Sequence, residues 1–163
     1  MDEPIKKQKT FTPLEAKRKA ESYCAYQERS QQEVRDKLYG WGLHKADVEN
    51  IIGYLIEENF LNEERFAKAY ALGKFRIKGW GKIKITQGLK LKQVSTPLIK
   101  IALKQIEPND YFEKLTTIII KKSNLIKESD PYKKRNKLYQ YALGRGYENN
   151  LILEVLKDSD LGD

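Results

Sequence analysis

Apolar residues recur at spacings of three and four along nearly the whole chain, the pattern of helices that each bury one face. Thr12-Pro13-Leu14-Glu15 supplies a cap residue, a proline at the first helical position and an acid placed for a capping box, so a helix is predicted from there to about Gln27. Ser30-Gln31-Gln32-Glu33 is a second capping box, followed on one face by Val34, Leu38 and Trp41. Gly40 and Gly42 supply the stop, because glycine accepts the left-handed conformation at a helix end. A third helix from about Lys45 turns Val48, Ile51, Ile52 and Leu55 inward.

The pattern then repeats. Asn62 caps a helix with Phe66, Ala69, Tyr70 and Gly73 on one face, and Thr96-Pro97 starts another with Leu98, Ile99, Ala102, Leu103 and Ile106 inward. A shift of 51 residues superposes Val34 on Ile85, Leu38 on Leu89, Leu43 on Val94, Val48 on Ile99 and Ile52 on Leu103. A shift of 104 puts Val34 on Leu138, Leu38 on Ala142, Gly42 on Gly146, Val48 on Ile152 and Ile52 on Leu156. Asp130-Pro131 and the pair Gly144 and Gly146 repeat the start and the stop.

The expected fold is therefore all-α: three tandem three-helix repeats, trihelical and helix-turn-helix-like, stacked in an elongated, curved array. The predicted organisation is a tail over 1–11, repeats over 12–60, 61–107 and 108–158, and a tail over 159–163. One segment competes with this reading. Lys82-Ile83-Lys84-Ile85, Thr86-Gln87-Gly88 and Leu89-Lys90-Leu91-Lys92 alternate with period two around a glycine, as a β-hairpin does. A helix is preferred, because Ile85 and Leu89 match Val34 and Leu38 and an isolated hairpin is marginal.

Composition narrows the partners. The chain has 163 residues, 31 Lys+Arg and 23 Asp+Glu, and a net charge of +8. Residues 1–64 carry net −3, residues 65–106 carry 11 cations and no acid, and residues 107–163 are neutral. A mixed surface needs no special partner, but a one-sign segment reads as a polyanion-facing surface. No apolar run reaches the length of a membrane span, and residues 1–7 do not read as a secretory signal. The single cysteine, Cys24, fits a reducing, cytoplasmic setting and reads as a small core residue. With one histidine, His44, no His/Cys metal cluster is expected.

The candidate contact residues are Arg76, Lys78, Lys82 and Lys84 around Gly79-Trp80-Gly81, extended by Lys90 and Lys92. Trp80 is either an exposed stacking residue or a wedge between helices, and the wedge is preferred. A second cluster, Lys133-Lys134-Arg135 with Lys137, opens a helix, where cations oppose the dipole and so favour a binding role. Lys6-Lys7-Gln8-Lys9 reads as a disordered basic arm. Glu57-Glu58 and Glu63-Glu64 read as solvated charges, since adjacent helical carboxylates point to different sides. No nucleophile motif, phosphate-binding glycine loop or cofactor motif is found, so no enzyme, cofactor or metal is expected.

Three stretches carry a family resemblance. Ser30-Gln31-Gln32-Glu33-Val34-Arg35-Asp36-Lys37-Leu38 with Gly42, Leu61-Asn62-Glu63-Glu64-Arg65-Phe66-Ala67, and Arg76-Ile77-Lys78-Gly79-Trp80-Gly81 with Ile85 and Leu89 together resemble the RecX family. The resemblance covers about residues 14–158 and implies three tandem three-helix repeats. Lys82 stands where the family often has proline, and Gln93 where a helix-ending glycine is common.

The resemblance implies a non-catalytic regulator that binds the recombinase RecA and its nucleoprotein filament and mainly inhibits its activity in recombination, DNA repair and the SOS response. Weak nonspecific DNA binding is compatible with that role, no membrane partner is expected, and the expected state is a monomer. The alternative is a helix-turn-helix-like protein acting directly on nucleic acid. Base reading calls for Arg, Asn or Gln at the exposed start of a recognition helix. The middle segment is instead dominated by Lys, with Gln87 and Gln93 the few candidates, which suits backbone contact.

Overall fold

The computed structural model describes residues 10–158; the Lys6-Lys7-Gln8-Lys9 arm and the predicted tail over 159–163 lie outside the described residues. The regular structure within them is helical: α1 (Pro13–Tyr26), α2 (Gln31–Gly40), α3 (Lys45–Glu57), α4 (Glu63–Arg76), α5 (Lys82–Leu91), α6 (Thr96–Leu103), α7 (Pro108–Leu125), α8 (Pro131–Gly144) and α9 (Asn149–Asp158). The segment with hairpin-like alternation is α5. Its buried residues, Ile85 and Leu89, lie one helical turn apart, so burial overrides the period-two pattern. Gly88 has a packing reason to be there, since a Cβ on it would run into the Tyr70 hydroxyl.

The repeat register is visible in burial and in backbone. Val34, Ile85 and Leu138 are buried, as are Leu38, Leu89 and Ala142, and Val48, Ile99 and Ile152. The stop positions correspond too: Gly42, Gln93 and Gly146 have φ of +85°, +59° and +95°. The predicted face of α4 is shifted, because its apolar run offers two faces. Phe66, Ala67, Ala71 and Phe75 are buried, while Ala69 is exposed and Gly73 half-buried. Tyr70 packs along Gly88 instead.

The chain forms two compact units. The first holds the residues up to Ala67 with Lys92–Val94; the second holds Lys68–Leu91 and the residues from Ser95 onward. In the first, Ala16, Ala20, Val34, Leu38, Val48 and Leu55 are part of the shared core of α1, α2 and α3. Ser30 is buried there and closes its capping box: Oγ accepts from the Glu33 amide at 3.0 Å, and Glu33 Oε2 accepts from the Ser30 amide at 3.1 Å. Thr12 caps α1 by accepting from the Glu15 amide at 3.3 Å. His44 is the N-cap of α3, without a side-chain cap bond, and Cys24 is in the core.

In the second unit an aromatic chain links three elements. The rings of Phe75 (α4) and Tyr111 (α7) are 5.9 Å apart, and those of Tyr111 and Tyr147 are 5.1 Å apart. Leu115, Ile119, Leu138, Ile152 and Leu156 complete the buried layer of α7, α8 and α9.

Candidate polyanion-binding surface

The loop between α4 and α5 carries Lys78 and Trp80, and its backbone is fastened at each step. Gly79 turns the chain at φ +67°, which glycine takes without strain. The Gly81 amide donates to the Arg145 carbonyl at 2.8 Å, and the Ile83 amide to the Gly146 carbonyl at 3.0 Å. The Tyr147 hydroxyl donates to the Gly79 carbonyl at 3.0 Å, and Arg145 Nη2 donates to the Lys78 carbonyl. The Lys114 ammonium donates to the Arg76 carbonyl at 3.1 Å. The turn joining α8 to α9 therefore templates the loop. Tyr111 adds a support at the start of α5: its hydroxyl accepts from the Lys82 amide at 2.9 Å and donates to Glu148 Oε2 at 2.7 Å. Burial drives the hydroxyls of Tyr111 and Tyr147 well above the ordinary phenol range, so both stay protonated donors.

The predicted cations do not form one strip. Arg76 and Lys78 are exposed. Lys84 reaches Trp80, its ammonium 4.7 Å from the ring centroid, and Lys74 approaches the same ring at 4.8 Å. Trp80 is half-buried, so it is neither a bare platform nor a sealed wedge; it is an aromatic surface edged by two ammonium groups. Lys82 points elsewhere, with its ammonium 4.8 Å from the Tyr111 ring, in a cavity of about 640 Å³ that Glu113, Glu148 and Glu154 also line. Lys90 is exposed. Lys92 is held by the Glu33 carboxylate at 2.6 Å, within the first unit.

The second predicted cluster also divides. Lys133 is exposed and Lys134 half-buried on the first turn of α8. The dipole cost expected there is offset by Asp130, whose carboxylate accepts from the Tyr132 and Lys133 amides at 2.9 and 3.4 Å. Arg135 turns inward and donates to the Leu156 carbonyl at 3.3 Å, tying α8 to the end of α9. Lys137 pairs with Glu128 at 3.1 Å.

Sequence reading missed a group of cations that the fold assembles. Lys114, Lys121 and Lys122 of α7 and Arg145 after α8 line one cleft with Lys78, and no acid is among its lining residues. The seven-residue spacing of Lys114 and Lys121, which repeats a helical face, is the signal that points to it; Arg145 carries none. Among the described residues no group of three or more His, Cys, Asp and Glu is arranged to hold a metal ion, and no helix is long and apolar enough to cross a membrane.

Comparison with known proteins follows the same triple division. Family models match residues 16–55, 62–103 and 109–156, described respectively as the first, second and third three-helix domains of RecX. The Regulatory protein RecX of Vibrio vulnificus is 32% identical over 152 residues, covering 91% of this chain and 96% of that one. The chain belongs to the RecX family. The Regulatory protein RecX of Clostridium acetobutylicum is 34% identical over 149 residues, covering 89% of this chain and 69% of the relative. Against the other clostridial RecX relatives the chain spans 61% to 62% of their length. The crystal structure of RecX from Lactobacillus salivarius superposes with a TM-score of 0.83 at 26% identity, covering 91% of this chain and 97% of that one. A second RecX crystal structure, at 21% identity and a TM-score of 0.82, shares the fold. The all-helical, three-domain expectation is thus met, and RecX proteins are named as regulators.

Proposed function

We propose that this protein binds the recombinase RecA or its filament on DNA and restrains recombinase activity in recombination and repair. It acts without catalysing a reaction and without a cofactor, as a cytoplasmic monomer whose repeats run over 12–60, 61–107 and 108–158. The observation that carries this reading is the likeness to RecX regulatory proteins across all three domains. Tandem domains give many modest contacts along a periodic partner, and such contacts add. The acid-free stretch over 65–106 supplies cations for the negative charge of such a filament. Arg76, Lys78, Lys84 and Trp80 are the contact residues best supported, because they are not engaged by carboxylates of the protein itself.

The test is steady-state ATP hydrolysis by RecA on single-stranded DNA with increasing amounts of this protein. Inhibition that saturates is expected. Unchanged hydrolysis at saturating protein sinks the regulatory reading.

A further inference from the structure

We propose that the cavity bordered by the starts of α5 and α7 and by α9 is a docking site for an arginine-bearing peptide segment of a protein partner. This goes beyond the regulatory reading and requires no recombinase. The cavity, of about 640 Å³, lies within the second compact unit. Its aromatic part is built by Tyr111, which is buried, and Phe112, which is half-buried. The Tyr111 ring cannot turn freely, because its hydroxyl accepts from the Lys82 amide at 2.9 Å and donates to Glu148 Oε2 at 2.7 Å. One cation already uses that ring: the Lys82 ammonium lies 4.8 Å from its centroid. The cavity thus recognises a cation of the protein itself, through an aromatic face. Lys82 does not neutralise the site, however. Glu113, Glu148 and Glu154 line it too, and neither they nor Lys82 form an ion pair among the described residues. Three carboxylates against one ammonium leave it negative on a chain of net charge +8.

Charge complementarity selects a cation, and the mixture of aromatic rings and carboxylates selects its kind. A guanidinium is planar and weakly hydrated; it stacks on aromatic faces and meets carboxylates in a two-bonded fork. An ammonium is a compact, strongly hydrated point charge and gains less from the same surroundings. Glu113 and Glu154 are exposed and carry no side-chain hydrogen bond that holds the fold, so both are free to receive the guanidinium. The size of the cavity favours a peptide over a small polyamine. A volume of about 640 Å³ falls in the range of sites that enclose a whole drug-sized ligand, more than one side chain fills. Leu151 and Phe112 are half-buried and line the same space, where they offer contact to an apolar residue beside the arginine. A polyamine brings no such neighbour.

Titration of the full chain with a capped peptide, one arginine between two leucines, followed by backbone amide NMR shifts, tests this directly. Saturable shifts are expected around Lys82, Tyr111 and Glu148. Glu113→Gln with Glu154→Gln should weaken binding roughly threefold to tenfold. Glu57→Gln with Glu58→Gln, the same change of charge at two exposed acids of the first unit, should leave affinity within about twofold. Lys82→Met clears the ring of its internal cation and should tighten binding roughly twofold to fivefold. The helical circular dichroism spectrum confirms that each variant is folded. Shifts scattered over the surface, equal losses in the two Gln pairs, or unchanged or weaker binding by Lys82→Met overturn the proposal. Two further ligands settle the occupant: the same peptide with neutral citrulline in place of arginine, and spermidine. If the citrulline peptide binds as tightly, the cavity reads apolar surface rather than charge; if spermidine does, a peptide segment is not what it selects. Either result overturns the assignment.

Discussion

Gly81 and Gly146 meet backbone against backbone: a Cβ on Gly81 would fall on the Gly146 carbonyl, and one on Gly146 would fall on Lys84. The contact lets the Gly81 and Ile83 amides reach the carbonyls of Arg145 and Gly146, which sets the loop bearing Lys78 and Trp80. Gly81→Ala must push two backbones apart and is expected to cost about 2–3 kcal/mol. Gly146→Ala adds left-handed strain to the same clash, at φ +95°. Gly73→Ala is the contrast, since a Cβ there meets nothing within 4 Å in the interior of α4. It should stabilise by about 0.5–1 kcal/mol. Urea unfolding of the three variants checks the ordering, and a neutral Gly81→Ala would show that the two turns do not need to touch.

Gln93 sits where the corresponding residues of the other two repeats are Gly42 and Gly146, and it takes φ +59°. A side chain in that region costs about 1–2 kcal/mol that glycine does not incur, offset in part by glycine's freedom in the unfolded chain. Gln93→Gly is expected to raise stability by up to about 1 kcal/mol. A lower melting temperature would mean that the Gln93 side chain makes a compensating contact.

This register also shows how far the sequence could be read. The apolar skeleton was legible because Val34, Ile85 and Leu138 obey one period, and burial depends on that period. The cap of α2 was legible because Ser30 and Glu33 close a local box. The division of the cations was not, because it depends on which carboxylate or ring lies across space. Nothing near Lys92 in the sequence announces Glu33, and nothing near Lys82 announces Tyr111 or Glu148. Arg145 stood alone in sequence and acquires its role only when the loop at Lys78 folds onto it.

Lys92 and Lys90 should therefore behave differently. The Lys92–Glu33 pair is 2.6 Å long with side chains 34% and 23% exposed, and Glu33 also completes the Ser30 cap. Lys92→Glu sets two carboxylates together and is expected to lower stability by about 1 kcal/mol, a value kept small by solvent screening. Lys90→Glu, on the exposed surface, should leave stability within about 0.5 kcal/mol. Thermal melts of both variants decide the matter, and equal melting temperatures would argue that the ion pair is not formed in solution.

Reversal of Lys78 and Lys84 to Glu should weaken binding to a RecA filament while the helical circular dichroism spectrum stays unchanged. Lys82→Glu is expected to act differently, because its ammonium lies over Tyr111 in a cavity bordered by Glu113, Glu148 and Glu154. Adding a fourth acid there should reduce stability more than it reduces filament affinity. Filament pull-down alongside unfolding curves separates the two effects. Undiminished filament affinity in the Lys78 and Lys84 double variant would remove the basic loop from the contact surface.

Alkaline pH should destabilise the fold in two steps. Burial pushes the Cys24 thiol up from 9.0 to about 11, with Arg29 opposing the shift. It also raises Tyr111 and Tyr147 beyond the usual phenol range. Each group is neutral when protonated, so its raised folded value favours the folded state only while the unfolded group is protonated too. That contribution is complete below the unfolded value and is lost as pH rises toward the folded one. Unfolding midpoints in urea should hold steady to about pH 8.5, fall first as unfolded-state Cys24 ionises, then fall more steeply above about pH 10 as the tyrosines follow. Cys24→Ala lowers the whole curve through the small cavity it leaves, but it should delete the first step and leave the second in place. A Cys24→Ala curve that still declines from pH 8.5 would assign the early step to another group.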